Sequence, residues 1–455
     1  MELASHLSPL TSRGDTICAL ATAPGGALGI IRISGAQALE ILSRIFSKDV
    51  TDVPPNTIHY GHVADIDEVL VSVFKAPHSY TGEDSAEISC HGSRYILNKV
   101  LELLIANGCR QAQPGEFTQR AFLNGKLDLS QAEAVADLIA SSNRATHQMA
   151  MSQLRGDFSS ELSRLRDQLL KLTSLLELEL DFSDHEDLEF ADRSELTSIA
   201  KEIDKRITHL AHSFETGQAL KQGIPVAIVG KTNVGKSTLL NRLLHEDRAI
   251  VSDVHGTTRD TIEDTIDIND VTFRFIDTAG IRQTTDKVEQ IGIERTFASI
   301  QKARIIIWMI DKEPSQEELI KISNITENKR LIVVRNKIDK VENKPFALVK
   351  IPLIEISAKH GDHLADLEQA IFQAADIPTL SDTDIIVTNV RHYDALCRAG
   401  HSLTRVLEGL QTGLSGDLLS EDLRQVLDTL AEITGGQITT HEVLGNIFKN
   451  FCVGK

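Results

Sequence analysis

Residues 225 to 237 read PVAIVGKTNVGKS, and this stretch decides the fold. A short β-branched run, Val226 to Val229, stops at Gly230, and Gly235, Lys236 and Ser237 follow at the spacing G-x-x-x-x-G-K-S. The order is strand, loop, helix, and the chemistry that asks for it is phosphate binding. Successive loop N–H groups, with the positive end of the helix carrying Leu239, Leu240 and Leu243, can surround a β-phosphate. Lys236 is then placed to bridge the β- and γ-phosphates, and the Ser237 hydroxyl to ligate Mg²⁺.

Companion motifs follow in order. Gly256-Thr257-Thr258-Arg259-Asp260 can supply a threonine hydroxyl to Mg²⁺ and the γ-phosphate, and Asp277-Thr278-Ala279-Gly280 closes the next strand. Its aspartate can hold the metal through water, and its glycine N–H can sense the γ-phosphate. Asn336-Lys337-Ile338-Asp339 then ends an apolar strand. One carboxylate there, facing both N1–H and the exocyclic amine of guanine, makes a bidentate pair that adenine cannot reproduce. Ser357, Ala358 and Lys359 fit a backbone contact to the guanine O6. The expected GTP/GDP contacts are Gly230, Asn233, Val234, Gly235, Lys236, Ser237 and Thr238, then Ser252, Asp253, Val254, His255, Gly256, Thr257 and Thr258. Asp277, Thr278, Ala279, Gly280, Asn336, Lys337, Asp339, Ser357, Ala358 and Lys359 complete them.

Where Ras-like switches place a water-orienting glutamine, this chain has Ile281. Glu289, Arg282 and Arg259 are the nearby candidates for orienting water and neutralising charge. A second cation could replace an arginine finger, because Asn233, Ser252 and the carbonyls around Val254 bring hard oxygens toward the phosphates.

At 455 residues the chain has room for roughly three domains. A formal charge of -18 excludes a protein that coats nucleic acid non-specifically; such a partner must meet a local patch among the 47 Lys and Arg or be brought by another protein. Five scattered cysteines without a C-x-x-C pair favour a reducing compartment, and the apolar run Ile305 to Ile310 is too short to span a bilayer, so a cytoplasmic protein without membrane contact is expected.

The rest of the chain divides by pattern. Residues 1–120 mix strands (Thr16 to Ala21, Leu28 to Ile33, Glu68 to Phe74, Ser85 to Ser89) with helices (Ala36 to Phe46, Tyr95 to Leu104), an α+β domain. Residues 121–216 are helical, with one stripe at Leu162, Leu165, Leu169, Leu172, Leu176 and Leu180 and another at Leu196, Ile199, Ile203, Ile207, Leu210 and Phe214. Between them the acidic run Asp181 to Phe190 reads as a solvated turn, with a metal site as the sharper alternative. Residues 217–377 alternate near-continuous apolar strands with helices, indicating a mainly parallel sheet covered on both faces. Residues 378–455 are helical again, with a stripe at Leu423, Leu427, Leu430 and Ile433 and a capping box from Thr439 to Glu442. The fold class is therefore multidomain α/β and α, with a Ras-like P-loop module inserted into a discontinuous helical domain.

Four further stretches carry a family resemblance: 29–35 (GIIRISG), 79–84 (SYTGED) with 90–92 (CHG), 114–128 (PGEFTQRAFLNGKLD), and the terminal 451–455 (FCVGK). With them the chain resembles, over essentially its full length, the bacterial and organellar tRNA-modification GTPases of the MnmE (TrmE) family. The resemblance implies a homodimer through the N-terminal domains and a 5-formyl- or 5,10-methylene-tetrahydrofolate held by Arg32, Glu87, Lys126 and Lys455. It implies K⁺ in place of an arginine finger, ligated at Asn233, Ser252, Val254 and Thr257, with Mg²⁺ on Ser237 and Thr258 and water placed through Glu289. It further implies a reactive Cys452, for which a terminal prenylation signal or a plain free thiol are the rival readings. Cys18, Cys90 and Cys109 are expected to pack as small hydrophobes.

The implied activity is installation of an aminomethyl or carboxymethylaminomethyl group on the wobble uridine of certain tRNAs. A flavin-dependent partner, MnmG (GidA), carries FAD and joins in a heterotetramer or larger assembly. Two departures stand out: the turn Ala23 to Gly29 is about one residue shorter than in many members, and Ser252 replaces a common threonine. The competing readings are a ribosome-assembly or translation switch of the Era or Der type, and a folate enzyme whose G domain has lost catalysis.

Overall fold

The structure, a computed structural model, describes residues 14–23, 25–181, 193–247, 264–276, 300–326, 329–340, 353–377, 384–436, 444, 447–448, 451 and 454, with the side chains at 178–181, 245–247 and 325 left aside. They fall into two compact units. The first comprises 1–140, 150–207 and 395–455, the second 141–149 and 208–394.

In the first unit a 6-stranded sheet has the order β3-β4-β5-β2-β1-β6. Its strands are β1 (Thr16–Leu20), β2 (Leu28–Ser34), β3 (Thr57–Val63), β4 (Asp67–Phe74), β5 (Ser85–His91) and β6 (Cys109–Gln111). Neighbours run antiparallel except β1 and β6. Ile31, Ile33, Val71 and Ile88 alternate onto one face, where they pack with Leu42 of α1 (Ala38–Ile45) and Val100 of α2 (Arg94–Ala106). The expected strands are present, but β3 and β6 have no equivalent in the sequence reading. β6 is too short to show a period, and the inward side chains of the edge strand β3 are Gly61 and Val63 while Ile58 and Tyr60 stay exposed. Gly61 is required there, since a Cβ would lie 2.5 Å from the Phe46 ring.

Helices complete this unit: α3 (Glu116–Leu123), α4 (Leu129–Ala140), α5 (Arg144–Arg155), α6 (Asp157–Asp181) and α7 (Arg193–Gln222), the division between units falling in the middle of α5 and the middle of α7. Leu162, Leu165, Leu169, Leu172 and Leu176 are buried as the stripe on α6 predicts. On α7 the burial passes through Leu196, Ala200, Ile203 and Ile207, leaving Ile199 only half-buried.

The second unit holds the other 6-stranded sheet, of order β12-β11-β10-β7-β9-β8. Its strands are β7 (Ile224–Gly230), β8 (Asp264–Ile268), β9 (Val271–Phe275), β10 (Ile305–Ile310), β11 (Arg330–Arg335) and β12 (Leu353–Glu355). All pairings are parallel except the β8–β9 hairpin, of which the sequence pattern shows β9 (Thr272 to Ile276) but not β8. Asn269 and Asp270 turn it with φ of 50° and 64°, the two positive values a tight primed turn needs. One face buries Ile228, Phe273, Ile307 and Val334 under α8 (Lys236–Asp247) and, through Leu367 and Ile371, a later helix. The other buries Ala227, Trp308 and Val333 with Ile322. Those covering helices are α9 (Gln316–Ile325) and α10 (Leu364–Ala374).

The C-terminal part supplies α11 (Val390–Thr412) and α12 (Gly416–Thr434), with α11 entering the first unit at Ala395. On α12 the buried row is Leu419, Leu423, Val426, Leu430 and Ile433; Leu427, expected inside, is half-buried. Steps of four, three, four and three keep to one face, and Leu427 lies one residue round from it. The acidic run 182–190 and the capping box 439–442 lie outside the described residues.

Candidate functional site

The phosphate loop leaves the C-terminal end of β7, at the centre of the sheet between β10 and β9. Gly230 turns it with φ 153°, and a Cβ at that position would sit 2.4 Å from the Met309 carbonyl oxygen of β10. Asn233 takes a left-handed conformation, φ 61°. Gly235, φ 108°, comes so close to the base loop that a Cβ would fall 2.2 Å from Asn336 Nδ2. Lys236 opens α8, and its Nζ donates to the carbonyls of Gly230 (2.6 Å) and Lys231 (2.7 Å). Burial holds its ammonium below the usual lysine range. Ser237 and Thr238 lie in the first turn of the same helix, beside a cavity of about 320 Å³ lined with Asn241, Arg242, Ala358 and Lys359.

The base loop follows β11 and is tied to the phosphate loop side chain by side chain. Asn336 is buried; its Nδ2 donates to the Val234 carbonyl (2.8 Å) and its Oδ1 accepts the Ala358 N–H (2.9 Å). One backbone donor of the Ser357 to Lys359 stretch, the Ala358 N–H, is thereby engaged in ordering the loop itself. Lys337, φ 70°, donates from Nζ to the Asn233 carbonyl (2.6 Å) and to the carboxylate of Asp311 (2.9 Å). Asp339 is the middle residue of a short 3₁₀ segment, Ile338–Lys340, and its Oδ1 accepts the Ser357 hydroxyl (2.9 Å). That hydrogen bond, with a second from its own backbone N–H, holds its carboxyl below the usual range, so it meets a ligand ionised. Asp311 was not anticipated, although an aspartate directly after the apolar run of β10 was a signal available in the sequence.

The other cluster lies on the N-terminal sheet. Arg32 and Glu87 face each other on paired strands, and Arg32 Nε and Nη2 both donate to Glu87 Oε1 (2.9 and 2.7 Å). The Arg32 guanidinium lies 5.4 Å from the centroid of Tyr80 and 5.6 Å from that of Phe117. Its Nη1 donates to the carbonyl of Gly454 (3.2 Å), bringing that residue to the sheet. Gly454 fits because a Cβ there would lie 2.3 Å from the Leu20 carbonyl oxygen, and Phe451 packs on Phe448 with ring centroids 5.0 Å apart. Lys126 donates to the Pro77 carbonyl (3.0 Å) and packs beside Gly82.

Beneath this cluster lies an ionic network. Arg120 donates to Asp15 Oδ1 (2.6 Å), Glu83 (3.2 Å) and Glu116 (3.1 Å), and Arg110 donates to Asp15 Oδ2 (2.8 Å) and Glu116 (2.5 Å). Burial would raise the carboxyls of Asp15 and Glu116, but hydrogen bonds and charge from Arg110 and Arg120 outweigh it and leave both lowered. Cys18, Cys90 and Cys109 are buried. Burial pushes the Cys90 thiol up to about 12, which suits packing rather than reaction.

Glu289, Arg282, Arg259, Cys452 and Lys455 lie outside the described residues, as do 252–258 and 277–280. No cluster of metal-binding side chains occurs among the described residues.

A mainly parallel sheet with a phosphate loop at its central strand, and an Asn-Lys-x-Asp loop stapled to it, defines a P-loop GTPase domain of the Ras-like class. The family profiles described as the MnmE helical domain and the GTP-binding protein TrmE N-terminus match residues 129–452 and 16–126. The chain belongs to the MnmE family. Proteins named tRNA modification GTPase MnmE from Phocaeicola vulgatus and Bacteroides thetaiotaomicron are 56% and 55% identical to it, each match covering 97% of this chain and 99% of the relative. The counterpart from Flavobacterium johnsoniae is 50% identical over the same shares. Among solved structures, the G domain of the T. maritima FeoB iron transporter matches 33% of this chain and 98% of its own at 22% identity, with a TM-score of 0.26.

Proposed function

We propose that this protein is a potassium-stimulated GTP hydrolase of tRNA modification. It works in the cytoplasm as a homodimer with a flavin-dependent, FAD-carrying MnmG partner, and alters C5 of the wobble uridine with a folate one-carbon unit. The observation that carries the nucleotide part is the stapled pair of loops: Asn336 fixes base loop to phosphate loop, and Ser357 presents an ionised Asp339. A carboxylate so held pairs with the N1–H and amine of guanine. Ser237, at the start of α8, and Thr258 would hold Mg²⁺, which supplies charge neutralisation at the phosphates. Asn233, in the phosphate loop, would join Ser252, Val254 and Thr257 around K⁺. Glu289 would place water, with Arg259 and Arg282 as further candidates.

The folate reading fits the N-terminal cluster. Arg32 spends two donors on Glu87 Oε1, so Oε2 can accept from an N–H edge such as a pterin's. Lys126 and Lys455 would take the acidic tail. The Gly454 contact supports placing Cys452 close to this site, as the reactive thiol of the modification.

GTP hydrolysis measured in KCl against NaCl, on wild type and Glu289→Ala, tests the mechanism. Strong stimulation by K⁺ and a large loss in the variant with nucleotide binding intact are expected; equal rates in the two salts overturn the cation mechanism. Retention of a reduced folate by the purified dimer, lost in Glu87→Ala, tests the second site.

A further inference from the structure

We infer that Asp311 is a positioning residue for the guanine nucleotide, acting through Lys337 to hold the phosphate loop and base loop closed on each other. The inference rests on the GTP-site reading and on no feature of the folate or cation proposals.

Two backbone positions of the site, Asn233 and Lys337, adopt left-handed conformations with φ of 61° and 70°. Such conformations are uncommon for residues other than glycine and persist where neighbouring contacts hold them. The contact that joins them is one ammonium: Lys337 Nζ donates to the Asn233 carbonyl at 2.6 Å. A lysine terminus is a flexible point donor, and at 32% exposure it can swing to solvent unless a second acceptor fixes it. Asp311, the first residue after β10, supplies that acceptor at 2.9 Å and is itself 32% exposed. β10 is fully buried and paired on both sides, so it gives the carboxylate a fixed origin. The neighbouring link, Asn336 to Val234, is made by a buried amide and stands without Asp311. Asp311 therefore governs the outer of two ties between the loops that enclose a nucleotide. Its removal leaves the base-selecting carboxylate Asp339 and its Ser357 partner in place.

The test is dissociation of a fluorescent methylanthraniloyl-GDP from the full-length chain, chased with excess GDP, with steady-state GTP hydrolysis alongside. Asp311→Ala is expected to speed release about tenfold, the loss expected of a charge-assisted hydrogen bond discounted for partial exposure. KM for GTP rises in parallel while kcat changes by less than about twofold, because the tie holds ground and transition states alike. Asp311→Asn, which keeps an acceptor without the charge, falls between. Lys337→Ala combined with Asp311→Ala is no faster than Lys337→Ala alone, the non-additivity of a shared contact. Release within twofold of wild type in Asp311→Ala, or additive effects in the double variant, overturns the inference. Should Asp311→Ala not fold, Asp311→Asn and Asp311→Ser carry the same comparison. Failure of wild type to retain the fluorescent GDP would instead overturn the GTP-site reading.

Discussion

Replacing Arg120 by methionine removes the centre of the ionic network under the N-terminal cluster and keeps most of the side chain's bulk. The Arg120 side chain is 10% exposed, and it donates to Asp15, Glu83 and Glu116, of which Glu116 is 4% exposed. Removing one partner of a buried ion pair typically costs about 3–5 kcal/mol, since the remaining charge stays buried and uncompensated. Arg110 still reaches Asp15 and Glu116, so the lower end applies, about 3 kcal/mol. An exposed pair such as Arg398–Glu432, with side chains 47% and 39% exposed, should give about 0–1 kcal/mol when broken.

The assay is hydrogen exchange of the β1 and β2 amides, where about 3 kcal/mol corresponds to exchange roughly a hundredfold faster. Fluorescence of the one tryptophan, Trp308 in β10, reports the other unit in the same sample. The sign with pH follows from the lowered carboxyls of Asp15 and Glu116. Their contribution is complete above their ordinary values, 3.8 and 4.5, and is lost as pH falls below these through the depressed folded values. The difference between wild type and Arg120→Met should therefore be full at neutral pH and shrink in acid below about 4. An unchanged exchange rate, or a difference that grows on acidification, would refute this account of the network.

Asp339→Asn should weaken GTP binding at least about a hundredfold and admit xanthosine triphosphate, whose ring carbonyl accepts from an amide; competition binding of the two nucleotides measures it. Gly235→Ala should abolish tight nucleotide binding, because its Cβ would meet Asn336 Nδ2 at 2.2 Å where φ is 108°, and titration with fluorescent GDP checks it. Leu423→Ala should cost about 2–5 kcal/mol and Leu427→Ala about 1 kcal/mol in urea unfolding, a contrast that a purely sequence-drawn stripe would not give.

The sequence by itself determined the phosphate and base loops, the mainly parallel sheet and the stripes on α6, because each is written in a local spacing: two glycines and a lysine, a carboxylate three residues after an asparagine, leucines at helical steps. Three of the four edge strands, β3, β6 and β8, escaped it. β3 and β8 bury little and alternate with polar residues, so their pairing rests on neighbours distant in the chain. Val426 rather than Leu427 lines α12 because the partner helix, not hydrophobicity alone, chooses the face. Within the sites, only tertiary structure decided that Asn336 staples the phosphate loop, that Asp311 steadies Lys337, and that Gly454 reaches Arg32 across 422 residues. Spacing carries the chemistry of a loop, but the partner of a buried donor is set by which strands the fold lays side by side.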